Sequence, residues 1–298
     1  MNRSILGPGL GLGLALTFAV HGAEAGLLSR APKAAAPAVS EASLADIRHA
    51  IDEQRLLDAA RLLDQAVLNG VKDPRLAVLG GDLSLARGRY EPALSDYRAA
   101  EATPATRAAA LQGQGLALSL LGRSDEALAM LRRAVSEDPT AWRAWSALGA
   151  EYDNRAQWPL AEDAYEHAFT GSGGAALVLN NRGYSRLLQH RRDEAVSDLA
   201  AALRKKPDFT EARTNLRLAL AMGGDYDRAI AGGSAGDQAA LLNNAGFAAG
   251  MRGDYDKAQD LLIRAVAVKS EYYARASENL KIVRALAARS DGPANAHP

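Results

Sequence analysis

Apolar positions recur along the chain as a fixed triplet: a small residue, a large one four places on, and a small one three places after that. Ala59–Leu63–Ala66, Ala93–Tyr97–Ala100, Ala127–Leu131–Ala134, Ala161–Tyr165–Ala168, Ala195–Leu199–Ala202 and Ala258–Leu262–Ala265 follow it, with charged residues in between. Spacings of four and three put all three side chains on one face of an α-helix. The leading alanines, with Ala229 among them, are separated by 34 residues five times in succession and then by 29. Twelve residues before them stand Gly81, Gly115, Gly149, Gly183 and Gly246. In a chain this rich in alanine one column would mean little, but several columns in one register predict a repeated structural unit.

Each unit reads as two helices joined by a tight turn. Gly88, Gly122, Gly224 and Gly253 fall where the first helix must end, a place that favours the left-handed backbone. Polar starts such as Ser124-Asp125-Glu126 and Asp254-Tyr255-Asp256 follow, with acidic groups suited to a helix N-terminus. Pro139 and Pro207 stand where the second helix must stop. The units are 40–73, 74–107, 108–141, 142–175, 176–209, a truncated 210–238, and 239–272. Residues 273–290 predict one further helix, which shields the apolar face of the last hairpin, and 291–298 predict a disordered tail.

The fourth unit reads Trp145-x-x-Leu148-Gly149-x-x-Tyr152, then Ala161, Tyr165 and Ala168, and resembles the tetratricopeptide repeat signature. The resemblance covers residues 40–272 and implies an all-α solenoid of helical hairpins, wound as a right-handed superhelix and closed by a C-terminal capping helix. Small residues would let helices approach and large ones fill the space between them. Three departures stand out. Gly173 replaces the usual proline in the fourth unit, and Ile47 replaces the usual glycine in the first. The sixth unit loses five residues beside Ala231-Gly-Gly-Ser-Ala-Gly236, a poor helix former, so a stunted second helix and a soft joint are expected there.

Composition narrows the function. Lys+Arg and Asp+Glu both number 35, so no net field draws the chain to nucleic acid. The absence of cysteine excludes disulfides, thiol chemistry, Cys-ligated zinc and a lipid on an N-terminal cysteine. His21, His49, His167, His190 and His297 form no metal-binding spacing, and the Gly-rich stretches 7–13, 171–174 and 232–236 do not follow strands, so none reads as a phosphate cradle. No catalytic residue, metal site or cofactor is expected. At the N-terminus, Arg3, the uncharged stretch Ile5–Val20 and Ala23-Glu24-Ala25 read as a signal peptide over 1–25, cleaved after Ala25. Residues 26–39 read as an Ala/Pro-rich linker. The mature protein is then periplasmic or secreted, with no direct membrane span.

Sixth in their units stand Asn181, Asn215 and Asn244, and Tyr184 and Phe247 come three places later. The tetratricopeptide resemblance implies that these positions line a concave groove, where carboxamides pair with both polar groups of a peptide backbone. The alternative is that these amides satisfy neighbours within the fold. Glu211 beside Asn215 argues against a clamp for a C-terminal carboxylate. Leu179-Asn-Asn-Arg-Gly-Tyr184, Leu242-Asn-Asn-Ala-Gly-Phe247 and Tyr272-Tyr-Ala-Arg-Ala-Ser-Glu-Asn-Leu280 resemble the repeats of TadD-type tight-adherence (Flp) pilus assembly proteins. That resemblance implies a non-enzymatic scaffold in the bacterial envelope, with secretin or pilus assembly components as partners. An adaptor for cell-wall or exopolysaccharide machinery is the alternative.

Overall fold

The computed structural model describes residues 41–234, 236–268 and 273–290. The proposed signal peptide, the linker and the C-terminal tail lie outside them. The described residues form fifteen helices: α1 Glu41–Asp52, α2 Leu56–Leu68, α3 Arg75–Ala86, α4 Tyr90–Glu101, α5 Pro104–Leu120, α6 Ser124–Glu137, α7 Trp142–Asp153, α8 Trp158–Ser172, α9 Ala176–Leu188, α10 Arg192–Lys205, α11 Thr210–Gly223, α12 Tyr226–Ile230, α13 Gln238–Arg252, α14 Tyr255–Ala267 and α15 Tyr273–Ser290. Consecutive helices pair into seven hairpins, and α15 follows alone. The chain divides into two compact units between Gly174 and Ala175, in the Gly-rich segment after the fourth hairpin. The shortened sixth hairpin lies inside the second unit.

The hairpin turn is the same in all seven repeats. Gln54, Gly88, Gly122, Ala156, His190, Gly224 and Gly253 all have positive φ, between 52° and 88°. The next residue's amide then reaches back to a carbonyl five residues earlier, closing the first helix. These bonds include Arg55 N to Ala50 O at 2.8 Å, Arg123 N to Leu118 O at 2.8 Å, Gln157 N to Tyr152 O at 2.9 Å and Asp254 N to Ala249 O at 3.0 Å. At three of the seven turns a side chain occupies a conformation in which an L-residue is strained. Ala156→Gly is therefore expected to raise stability by ~0.5–1 kcal/mol, the relief of left-handed strain less the extra freedom glycine has when unfolded. A denaturant midpoint unchanged or lowered would refute this.

The glycine column and the large-residue column turn out to be two halves of one contact. A methyl group on Gly81 would lie 2.5 Å from the Tyr97 ring, on Gly115 2.5 Å from Leu131, on Gly149 2.9 Å from Tyr165, on Gly183 2.8 Å from Leu199, and on Gly246 2.7 Å from Leu262. Each glycine thus admits the large residue of its own second helix, and those five residues are essentially inaccessible to water. Gly113 on α5 presses on the other side of Tyr97, at 2.3 Å by the same measure. In the first hairpin Ile47 fills the glycine's place. Leu63 is accordingly only half-buried, and α2 leaves Leu57, Val67 and Leu68 exposed.

The sixth hairpin keeps a second helix of only five residues, which ends before the large-residue position four places after Ala229 and buries Tyr226 from its first turn instead. Arg217 stands where its glycine would be, and its Nη2 donates to the carbonyl of Ala231 at 3.0 Å, which caps the shortened helix. The third hairpin begins earlier than the alanine register predicts. Pro104 opens α5, its fixed φ suiting the first turn of a helix.

Within each unit the first helices of successive repeats touch one another: α1 with α3, α3 with α5, α5 with α7, and separately α9 with α11, α11 with α13, α13 with α15. Among the described residues the second helices of a unit lie further apart and are bridged by long side chains, as when Arg133 on α6 reaches Glu101 on α4. The first helices therefore form an inner layer with a shared exposed surface, and any groove in either unit runs across them.

Candidate functional site

In the second unit that inner surface carries Asn181 on α9, Asn215 on α11 and Asn244 on α13. Asn181 and Asn215 are half-buried and Asn244 is exposed. Tyr184, Leu218 and Phe247, half-buried, stand one turn further along the same helices. Leu188, Met222 and Met251 follow a turn later, with Leu188 and Met251 exposed. The sequence-predicted site residues thus lie on three adjoining helices, a polar row flanked by an apolar one. The corresponding positions in the first unit hold Ala45, Leu79, Gly113 and Ala147, so the amide row belongs to the second unit alone.

The amides are held by partners that the sequence reading does not single out. Asn180 Nδ2 donates to Asn181 Oδ1 at 3.1 Å, and Asn215 Nδ2 donates to Asn180 Oδ1 at 3.0 Å. Asn243 Nδ2 donates to Asn244 Oδ1 at 3.2 Å, and Asn279 Nδ2 donates to Asn243 Oδ1 at 2.9 Å. Asn180 and Asn243 are 1% and 2% exposed, so each is an interior amide joining two surface ones. The row is therefore hydrogen-bonded within the fold while Asn244 stays exposed and Asn181 and Asn215 half-buried. The signal was the Asn-Asn doublet at 180–181 and 243–244.

Directly behind Asn181 lies a buried ion-pair cluster. Arg182 reaches both oxygens of Asp198 on α10 at 2.9 Å, and Arg186 Nη1 adds a third contact at 2.8 Å. It pins α9 to α10 and so fixes the helix that carries Asn181.

The inner surface of the first unit holds a different polar group. The Tyr97 hydroxyl donates to Asp82 Oδ1 at 2.7 Å, and Arg48 lies 3.4 Å from Oδ2. Asp82 is about a quarter exposed, 27%, yet enclosed enough that burial pushes its carboxyl up, against the opposing pull of Tyr97 and Arg48. Deeper in, Ser119 and Ser124 hydroxyls donate to the buried carboxylate of Glu151, tying α5 and α6 to α7. His49 and His167 are exposed, His167 stacking on Trp145 with centroids 4.3 Å apart, and His190 forms a turn. Arg132 lies within α6, its Nε bonded to the Tyr152 hydroxyl at 3.1 Å, and Arg133 pairs with Glu101 at 2.6 Å. Among the described residues no group of His, Asp or Glu could hold a metal ion, and no helix is long and apolar enough to cross a membrane.

The buried tyrosines make alkaline pH a probe of these contacts. Burial holds the hydroxyls of Tyr97 and Tyr165 well above the usual phenol range. Burial and the hydrogen bond to Asp254 push Tyr226 up to about 12. Because the native state retains these protons longer than the unfolded chain does, stability falls as pH rises from about 10. Tyrosinate absorbance is expected in two stages, exposed phenols first, then the buried ones together with loss of helical circular dichroism. Ionisation of all nine tyrosines with the helices intact would contradict this.

No protein-family model and no curated protein matches the sequence. Solved structures do resemble the fold. The Cut9–Hcn1 hetero-tetramer of the APC/C matches 82% of this chain at 15% identity with a TM-score of 0.58, and the chain spans about half, 49%, of the length of that one. A tetratricopeptide repeat protein from Parabacteroides merdae ATCC 43184 matches 82% of this chain and 98% of its own at 16% identity, TM-score 0.49. YrrB, described as a TPR protein with an unusual peptide-binding site, matches 62% of this chain and 98% of its own at 21% identity, TM-score 0.47.

Proposed function

We propose that this chain, an all-α solenoid of tetratricopeptide-type hairpins, is a non-catalytic scaffold that takes an extended polypeptide along the inner face of its second unit. The observation that carries this is the row Asn181, Asn215 and Asn244 on three adjoining helices, flanked by Tyr184, Leu218 and Phe247. Carboxamides can accept from a backbone N–H and donate to a backbone C=O, and the aromatic and aliphatic flank offers contact area to alternate side chains. Such a surface reads main chain more than sequence.

The protein works in the bacterial envelope, as the signal-like N-terminus supports, and serves tight-adherence pilus or secretion-channel assembly, as the repeat wording of residues 179–184, 242–247 and 272–280 supports. Its partners are then secretin or pilus assembly components. The exported protein is expected to begin at Gly26, as read by mass; a retained Met1 in the envelope fraction would replace the cleaved signal by an uncleaved anchor.

The test of the groove is quantitative capture of partner from periplasm by wild type and by Asn181→Ala/Asn215→Ala/Asn244→Ala. The triple variant is expected to hold about tenfold less or worse, the loss of several hydrogen bonds at once. Equal capture, with the variant's melting curve unchanged, would remove the row from the binding surface.

A further inference from the structure

The amide row is wired the same way twice. In α9 and α11, Asn215 donates to Asn180, which donates to Asn181. In α13 and α15, Asn279 donates to Asn243, which donates to Asn244. An asparagine side chain can rotate to exchange its oxygen and nitrogen, so an unsupported row would present a mixture of donors and acceptors. Here each interior amide ties the orientation of one surface amide to that of the next. Asn215 and Asn279 each turn one N–H inward, which leaves the carbonyl oxygen and the second N–H to a ligand. Asn244 accepts through Oδ1, which leaves its amino group to donate.

The second repeat of the wiring also enlarges the surface. Asn279 sits on α15, which packs against both α13 and α14 as α11 packs against α9 and α10. In that register Ile282, 37% exposed, takes the place held by Leu218 and Phe247. Val283, 2% exposed, lies where Gly250 leaves room, with a Cβ there 2.6 Å from its Cγ2. The helix after the last hairpin thus covers apolar surface, as a cap would, and also continues the inner row.

We propose that Asn180 and Asn243 are positioning residues that set the donor and acceptor pattern of the groove, and that α15 is its fourth helix, with Asn279 as a fourth ligand contact. The ligand this pattern fits is an extended, uncharged polypeptide segment with an apolar side chain at every second residue. Acceptor, donor and acceptor at Asn215, Asn244 and Asn279 meet main-chain N–H, C=O and N–H, and the alternate side chains lie against Leu218, Phe247 and Ile282. This rests on the groove reading above.

Two measurements on the full chain test it. The first needs no ligand: hydrogen–deuterium exchange of the side-chain amides, followed by NMR. Asn215 and Asn279 are expected to exchange slowly in wild type, and to speed up by about tenfold or more in Asn180→Ala and Asn243→Ala respectively, one hydrogen bond's worth. Unchanged rates in these variants would overturn the wiring. The second uses an acetylated, amidated nonapeptide of alternating leucine and serine between terminal lysines. Asn243→Ala and Asn279→Ala are each expected to weaken its binding about tenfold, and Asn243→Ala/Asn244→Ala/Asn279→Ala no more than Asn244→Ala/Asn279→Ala, because positioning and contact are one interaction. Additive losses, or wild-type affinity in Asn243→Ala or Asn279→Ala, would overturn the positioning role or the place of α15. Failure of wild type to bind the peptide would overturn the groove reading itself, and is told apart because the exchange result stands regardless.

Discussion

Replacing Tyr97 by alanine is expected to destabilise the first unit by about 3–5 kcal/mol, the range for deleting a fully buried aromatic side chain. Tyr97 is wholly inaccessible to water. Its ring is gripped by Gly81 on α3 and Gly113 on α5, so it joins two hairpins and not merely one. Removing it leaves a gap that neither glycine can fill, and leaves the Asp82 carboxyl without its hydroxyl partner. Tyr97→Phe keeps the ring and is expected to cost only about 1–2 kcal/mol, the deficit of an unmatched polar group. In a solenoid each repeat is stabilised by its neighbours, so the damage should be local. Hydrogen exchange should accelerate first in α3, α4 and α5. A cost below about 1 kcal/mol, smaller than any cavity of that size permits, would show that the glycine columns are not there to receive large residues.

The second large effect is expected at Asp198. Three contacts from Arg182 and Arg186 converge on this carboxylate, and Arg182 and Asp198 are 8% and 5% exposed. Asp198→Ala strands a buried guanidinium and is expected to cost about 3–5 kcal/mol, because breaking one side of a buried pair exposes the full desolvation penalty of the other. The double change Arg182→Met/Asp198→Leu should recover part of that loss, since apolar groups of similar volume need no compensation while Arg186 keeps only its longer contact to Glu194. A double variant as unstable as Asp198→Ala would mean that the cluster contributes through shape rather than charge. Because Asn181 adjoins Arg182 on α9, Asp198→Ala should also weaken peptide capture beyond what the folded fraction explains, and the double variant should restore it.

Much of the fold was legible in the sequence because it is local and repeated. The turn at Gly88, Gly122, Gly224 and Gly253 was readable from residue identity, since only glycine takes that backbone freely. The same turn at Gln54, Ala156 and His190 was readable only from the period, as these residues give no sign of the left-handed backbone. The early start of α5 was missed because the alanine register outweighed Pro104. Of the site, Asn181, Asn215 and Asn244 were visible as a column, but Asn180 and Asn243 were read only as neighbours in a resemblance, and Asn279 lay beyond the last repeat.

What the sequence alone determined, then, is the hairpin and its period, because 3.6-residue periodicity and turn chemistry act within some tens of residues, while the inward face of the first helices was implied by the resemblance. The tertiary structure decided what those columns touch. Only packing shows that Gly81 and Gly113 hold one tyrosine between them, that the chain divides after Gly174, and that Asn279 on α15 reaches Asn243 on α13. The physical reason is that a hydrogen bond or an interlocking contact depends on where two side chains meet in space. Residues 36 positions apart carry no mark of their partner until the helices between them have stacked.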